Sequence, residues 1–430
     1  MAGPAAHLAG DQRPRLRHRR LRRHVLHPGP GLRRPLLVSA FAWMDATEVR
    51  TLLAALARAG IEGRFVGGCV RNSVLGRPVD DIDIAVNRPP GTVMAALAAA
   101  AIKVVPTGLK HGTVTAVIDR HAFELTSLRR DVETDGRRAV VAYTDDWRED
   151  ASRRDFTFNA LYAEPDGTIH DWFDGRADLA AGRVRFIGDP DRRIAEDRLR
   201  VLRFFRFHAW YGRPPIDDAG VAACRRHSGT LEALSAERVA KELLKLLAAP
   251  HPADSVEAMI EVGALDRWLP EVEGTARLAA LIAREEAGAE KPDALRRLAA
   301  LLPVGADAAA IGRRLRLSTQ EALRLDVMLA REPVVGLEPR AELHRLGTTL
   351  FVDRLLLQGP SGWRDALALA RRWTPPELPV SGADALELGL KPGPKVGELL
   401  DAVERWWIAG DFAADRAACL AELKRLAEAQ

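Results

Sequence analysis

The chain has 430 residues, room for more than one domain, and its hydrophobic fraction of 47% suffices for packed cores, while no apolar run approaches the roughly 20 residues that cross a bilayer. Three widely spaced cysteines, Cys69, Cys224 and Cys419, make neither a disulfide framework nor a zinc site and point to a reducing, cytoplasmic compartment. The net charge of +4 hides an asymmetry: residues 1–43 hold nine arginines and one acid, or +8, which leaves −4 elsewhere, so a nucleic-acid surface on the folded part has to be a local patch.

Residues 1–43 mix Arg, His, Pro and Gly without helical or strand periodicity and read as a disordered leader. Sequence lying upstream of a natural start at Met44 is the favoured origin, ahead of a basic arm that grips RNA. Residues 45–60 follow as a helix, with Val49, Leu52, Leu53, Leu56 and Ala57 at helical spacing. Arg64–Val66 is a short strand running into Gly67-Gly68, a pair that lets backbone approach a ligand closely as a helix begins. That helix spans 69–75 and stops at Gly76. It carries Arg71, whose planar fork suits phosphate oxygens.

The densest chemistry lies just beyond. Residues 81–86 read as a strand, and a side-chain period of two puts Asp81 and Asp83 on one face, with Ile82, Ile84 and Val86 on the other. Two acids a strand-step apart hold hard divalent cations through oxygen. Together with the glycine pair and Arg71 they describe a site for a metal-bound nucleoside triphosphate. An alanine-rich helix over 91–101 and strands over 103–106, 112–118 and 122–127 complete an alternating α/β pattern, the last two strands forming a hairpin around Asp119-Arg120. Glu124 either faces the metals, if its strand lies beside that of Asp81, or is an edge-strand acid near Arg129. His111 reads as a turn residue rather than a base.

In Arg153-Arg-Asp-Phe-Thr-Phe-Asn-Ala-Leu161, Asp155 is placed to cap a helix and Asn159 lies four residues on, on the same face. Taken alone, this is equally a capped surface helix with solvated arginines. In the helix that follows Glu196, the residues Asp197, Arg200, Arg203 and Arg206 recur every three positions, a slanted polar stripe suited to an extended ligand. By itself that segment is better read as an ordinary amphipathic helix. Beyond about residue 180 strand signals almost vanish and helical spacing continues to the end.

Together these segments resemble the class II tRNA nucleotidyltransferase and bacterial poly(A) polymerase family. The resemblance is carried by Gly67-Gly-Cys-Val-Arg71 with Leu75-Gly-Arg77, Asp81-Ile-Asp83, Arg153–Leu161, Glu196-Asp-Arg-Leu-Arg200 and Leu234-Ser-Ala-Glu-Arg-Val-Ala-Lys-Glu242, in the family's order. It implies an α+β fold: a nucleotidyltransferase head over 44–182 with a small mixed β-sheet of the DNA polymerase β type, then an all-helical neck over 183–255 and body and tail over 256–430 that bind tRNA. It implies that Asp81 and Asp83 bind two Mg²⁺ ions, that Gly68 and Arg71 contact the triphosphate, and that Arg154 touches the nucleotide with Asp155 and Asn159 nearby. Asp197 and Arg200 would read the base, with Arg203 and Arg206 in support. Asn72 departs from the family's usual aspartate, and Phe158 replaces a smaller aliphatic residue.

The activity so implied is addition of CCA to the tRNA 3′ end from CTP and ATP by two-metal nucleotidyl transfer. Cytosine and adenine both present an amino donor beside a ring acceptor, so one Asp–Arg pair could admit both. Uracil and guanine present the reverse and would leave buried polar groups unpaired, at roughly 1–3 kcal/mol each. A poly(A) polymerase is the alternative, without the additional basic C-terminal extension common in such enzymes; a non-catalytic RNA-binding protein is a third reading. No adjacent His-Asp pair follows residue 242, so no metal-dependent phosphohydrolase domain is expected.

Overall fold

The computed structural model describes residues 41–134, 139–332 and 339–429. The leader therefore lies outside the described residues up to 40. Its last three residues do not belong with it: Phe41 is buried, and Trp43 donates from Nε1 to Ser73 Oγ at 2.8 Å and meets Phe65 edge-on at 4.8 Å.

A short 3-10 turn (Ala42–Asp45) leads into α1 (Thr47–Arg58), whose buried Val49, Leu52, Ala55 and Leu56 recur at helical spacing. Then come β1 (Gly63–Val66), α2 (Gly68–Val74), β2 (Asp83–Val86), α3 (Pro90–Ala99), β3 (Lys103–Gly108), β4 (Thr113–Ile118) and β5 (His121–Ser127). Asp119 and Arg120 both have positive φ, the conformation that a tight hairpin turn between β4 and β5 requires. The head is completed by β6 (Arg129–Thr134), β7 (Ala139–Tyr143), α4 (Trp147–Ser152), β8 (Tyr162–Ala163), β9 (Ile169–His170) and α5 (Gly175–Ala181).

Seven strands form one sheet in the order β3-β4-β5-β2-β1-β8-β9, with β6 and β7 as a separate pair. Within the large sheet β2 and β5 run parallel and the other pairings are antiparallel, so the sheet is mixed. Ile84 and Val86 join the main core with Leu52, Leu56, Val93 and Leu97, while Ala85 turns the other way, into a small cluster with Val66, Trp147 and Tyr162.

After the head the described chain is helical: α6 (Pro190–Glu196), α7 (Arg200–Tyr211), α8 (Asp218–His227), α9 (Ala236–Leu247), α10 (Ala253–Glu261), α11 (Ala276–Ala287), α12 (Ala294–Leu301), α13 (Ala308–Leu315), α14 (Thr319–Leu329), α15 (Pro339–Gln358, broken at Gly347), α16 (Trp363–Arg372), α17 (Gly382–Glu387), α18 (Pro394–Ala409) and α19 (Arg416–Glu428). One hydrophobic core runs from the head through α14 and reaches Leu357, whereas Val380, Leu399, Val403, Trp407 and Leu423 build a separate one at the C-terminal end. Among the described residues no helix is long and apolar enough to cross a membrane.

Two local expectations are corrected. The acid-bearing strand begins at Asp83, so Asp81 stands exposed two residues before it instead of within it. No α-helix starts at Asp155: α4 ends at Ser152, Phe156 is extended against Phe186, and Thr157–Asn159 form a single 3-10 turn. Tertiary contacts decide this. The Thr157 hydroxyl donates to Asp178 Oδ2 at 2.6 Å, and a Cβ on Gly175 would lie 2.4 Å from the Thr157 carbonyl oxygen, so the turn rests directly on α5.

Candidate active site

The parallel register places Asp83 opposite Glu124 and Ala85 opposite Thr126. Because β5 lies between β4 and β2, Glu124 is on an interior strand and not an edge one. Burial raises the pKa of Asp83, and Glu124 and then Asp81 raise it further, against the nearby charge of Arg154. The three acids therefore share one region of negative potential. Among the described residues no group of three or more His, Cys, Asp or Glu converges tightly enough to enclose an ion unaided.

Gly67 joins β1 to α2 with φ of +72°, a left-handed conformation that favours glycine. A side chain there would lie 3.7 Å from Arg154 Nη1 and 3.8 Å from the Asn159 carbonyl oxygen, so the Gly67-Gly68 turn and the 154–159 segment are neighbours. Arg71, on α2, is buried and donates from Nη1 to Asn159 Oδ1 at 2.6 Å. Asn159 Nδ2 donates to Asp155 Oδ1 at 3.0 Å, and Arg203 Nε donates to Asp155 Oδ2 at 2.8 Å. The 3-10 turn thus brings Asp155 and Asn159 together as the four-residue spacing suggested, without the helix. Burial opposes the Asp155 charge, but Arg203 and Asn159 outweigh it and hold the carboxyl at about 2. Glu242 on α9 pairs with Arg206 and lies 3.8 Å from Arg203, tying α9 to α7, and Arg203 in turn reaches the head through Asp155.

Arg154 is fixed by groups that the sequence did not single out. Its Nε donates to the Tyr162 hydroxyl at 3.0 Å and its Nη2 to Asp150 Oδ2 at 3.4 Å, and the Tyr162 hydroxyl donates in turn to Asp150. Asp150 also accepts from Arg153 Nη2 at 2.7 Å and from the Arg129 backbone at 3.1 Å. Buried as it is, its carboxyl stays below its ordinary value because Arg153 and Arg154 stand against it. The detectable signal was positional: an acid three and four residues ahead of Arg153-Arg154 on a helical turn.

The base-reading pair is arranged differently from the stripe read in the sequence. Asp197 lies outside the helix, between α6 and α7, and its carboxylate pairs with Arg238 of α9 at 3.0 Å, not with Arg200. Arg200 donates from Nη1 to Glu196 Oε2 at 2.8 Å and from Nη2 to the Arg153 carbonyl at 3.0 Å. Nη1 also donates to the Arg193 carbonyl at 2.9 Å, so among the described residues the Arg200 Nε–H and one Nη2–H have no partner, and Asp197 retains acceptor capacity beyond Arg238 and the Leu199 N–H. His111 sits exposed in a 3-10 turn (Leu109–His111), where its carbonyl accepts from Arg129 Nη1 at 2.8 Å.

The sequence matches two family models: the Poly A polymerase head domain over residues 63–185 and the probable RNA and SrmB-binding site of polymerase A over 215–274. It is 34% identical to CCA tRNA nucleotidyltransferase 1, mitochondrial, of Danio rerio, over 80% of this chain and 83% of that protein. It is 30% identical to the CCA-adding enzyme of Levilactobacillus brevis, over 86% of this chain and 96% of the relative. The crystal structure of the Bacillus stearothermophilus CCA-adding enzyme in complex with CTP superposes with a TM-score of 0.72 at 28% identity, covering 89% of this chain and 97% of that one.

Proposed function

The chain belongs to the CCA-adding tRNA nucleotidyltransferase family, and from that premise we propose that it builds the tRNA 3′ end from CTP and ATP by joining the RNA 3′-hydroxyl to the α-phosphate and releasing pyrophosphate. The observation that carries the reading is the convergence of the Asp83–Glu124 strand pair, the Gly67-Gly68 turn and Arg154 at one place in the head. We read residues 44–182 as the catalytic head, 183–255 as the neck and 256–430 as body and tail that hold the tRNA. The three free, buried cysteines agree with a reducing, cytoplasmic setting.

Asp81 and Asp83 are the residues that would hold magnesium, with Glu124 beside them. The ions would neutralise phosphate charge and acidify the attacking hydroxyl. The protein's own groups position the reactants. Arg71 and the backbone at Gly68 receive the triphosphate, and Arg154, braced by Asp150 and Tyr162, meets the nucleotide. Asp155 and Asn159 hold Arg71 and Arg203 in place. Asp197 accepts from the amino group that cytosine and adenine share, while the unused Arg200 N–H groups donate to the ring nitrogen, and Arg203 and Arg206 support the neck side.

The test is magnesium-dependent labelling of tRNA transcripts ending before, within and after CCA. Addition that stops at the mature end and disappears with Asp81→Ala supports the reading. Long adenosine tracts would assign a poly(A) polymerase instead, and addition restricted to some transcripts a partial CC or A activity. Replacing Asp197 and Arg200 by alanine should erase the preference for CTP and ATP over UTP; an unchanged preference would remove both from base reading.

A further inference from the structure

Arg71 is secured in an unusual way for a buried cation. It is 8% exposed, yet the groups that hold its side chain are neutral: Asn159 Oδ1 at 2.6 Å, Asn72 Oδ1 at 3.3 Å from Nε and 3.2 Å from Nη2, and the Tyr211 hydroxyl, which stands close enough to favour its charge. Its guanidinium carbon lies 4.4 Å from the ring centroid of Tyr211, in the last turn of α7. The same ring receives Arg77 at 4.9 Å, and the Tyr211 hydroxyl reaches Asn72 Oδ1 at 3.4 Å. Phe207 supplies a second aromatic surface, 5.4 Å from Arg71.

A carboxylate partner would fix Arg71 by consuming two in-plane N–H groups and cancelling its charge. An aromatic face fixes the plane from above, and leaves both the charge and the in-plane donors available. Five N–H groups are present on a guanidinium and three are engaged by the two amides, so one on Nη1 and one on Nη2 are not taken up by Asn72 or Asn159. Nη2 lies 3.8 Å from where a Cβ on Gly68 would stand, beside the turn where the triphosphate is expected.

We propose that Tyr211 is a positioning residue for nucleotide binding: its ring holds the Arg71 guanidinium in the plane that presents these two N–H groups to the incoming triphosphate. This rests on the reading of Arg71 as a triphosphate contact. Tyr211 reaches the head from a neck helix, so the neck contributes to the phosphate side of the site as well as to base reading.

The experiment is steady-state kinetics of the full chain with CTP, ATP and tRNA, together with melting temperatures, for Tyr211→Phe, Tyr211→Leu, Arg71→Ala and the double variant Arg71→Ala/Tyr211→Leu. Tyr211→Leu is expected to raise KM for both CTP and ATP by roughly 5- to 30-fold, the weight of a desolvated cation–π contact, with KM for tRNA unchanged. Tyr211→Phe, which keeps the ring, should hold nucleotide KM much nearer the wild-type value than Tyr211→Leu does, since it gives up only the hydroxyl's interactions with Asn72 Oδ1 and Arg71. The double variant should bind nucleotide no more weakly than Arg71→Ala alone. If Tyr211→Leu melts early, Tyr211→Met fills the same space without a π face and takes its place. Nucleotide KM unmoved by loss of the ring, while Arg71→Ala raises it, overturns the role of Tyr211. Nucleotide KM unmoved by Arg71→Ala overturns the reading of Arg71 itself, and the proposal with it.

Discussion

Asp155 answers two arginine-bearing elements with one carboxylate: Oδ2 takes Arg203 from the neck, and Oδ1 takes Asn159, which in turn holds Arg71. Its pKa of about 2 makes this a source of stability at neutral pH. A depressed carboxylate stabilises fully above the unfolded value near 4 and loses that contribution as pH falls through the folded value. Asp155→Asn should therefore cost about 2 kcal/mol near neutrality and flatten the acid limb between about pH 4 and pH 2, read by urea denaturation across that window. Asp150→Asn should act on substrate as well. It loosens Arg153, Arg154 and Tyr162 together, so nucleotide KM rises and stability falls by about 3 kcal/mol, checked by steady-state kinetics and urea denaturation. At this scale the residues proposed for the chemistry stand out in the sequence, and the Asp155–Asn159 pair by its spacing, whereas most of their other partners do not. Asp81, Asp83, Arg71, Arg154 and Asp155 announce themselves by motif, but Asp150, Tyr162 and Tyr211 acquire their places only when distant segments meet.

Elements were legible where periodicity had room to show. The first helix, the β4–β5 hairpin and the long helical region all follow their sequence patterns. The strands β8 and β9 have two residues each, too few for any alternation, and the β6–β7 hairpin was not recognised. The 153–161 segment carries a helix-like pattern that contact with α5 and Phe186 overrides. In the body, four helices are pinned by a buried charge network: Glu285 of α11 bridges Arg296 and Arg297 of α12, Arg296 reaches Asp353 of α15, and Arg324 of α14 joins Asp353 as well. Glu285→Ala removes the carboxylate shared by two buried guanidinium groups and leaves Arg297 without its acid, so it should cost about 3–5 kcal/mol by chemical denaturation. A hydrophobic replacement of the whole network should be far milder.

For the molecule as a whole, the division of the core matters most. The head, neck and much of the body share one hydrophobic interior, while residues from Val380 to Leu423 enclose their own. Calorimetry should resolve two transitions, and hydrogen exchange should show residues 378–427 opening as a separate unit. The front edge of the head is equally specific. A chain beginning at Met44 lacks Phe41 and the Trp43 contacts with Ser73 and Phe65, so it should be less stable by roughly 2–4 kcal/mol in thermal denaturation. The parallel pairing of β2 with β5 carries a temporal consequence. Asp83 waits for Glu124, Arg71 for Asn159 and Tyr211, and Arg203 for Glu242, each partner emerging later from the ribosome. The groups proposed to hold the nucleotide are therefore braced as described only once Glu242, more than halfway along the 430 residues, has been synthesised.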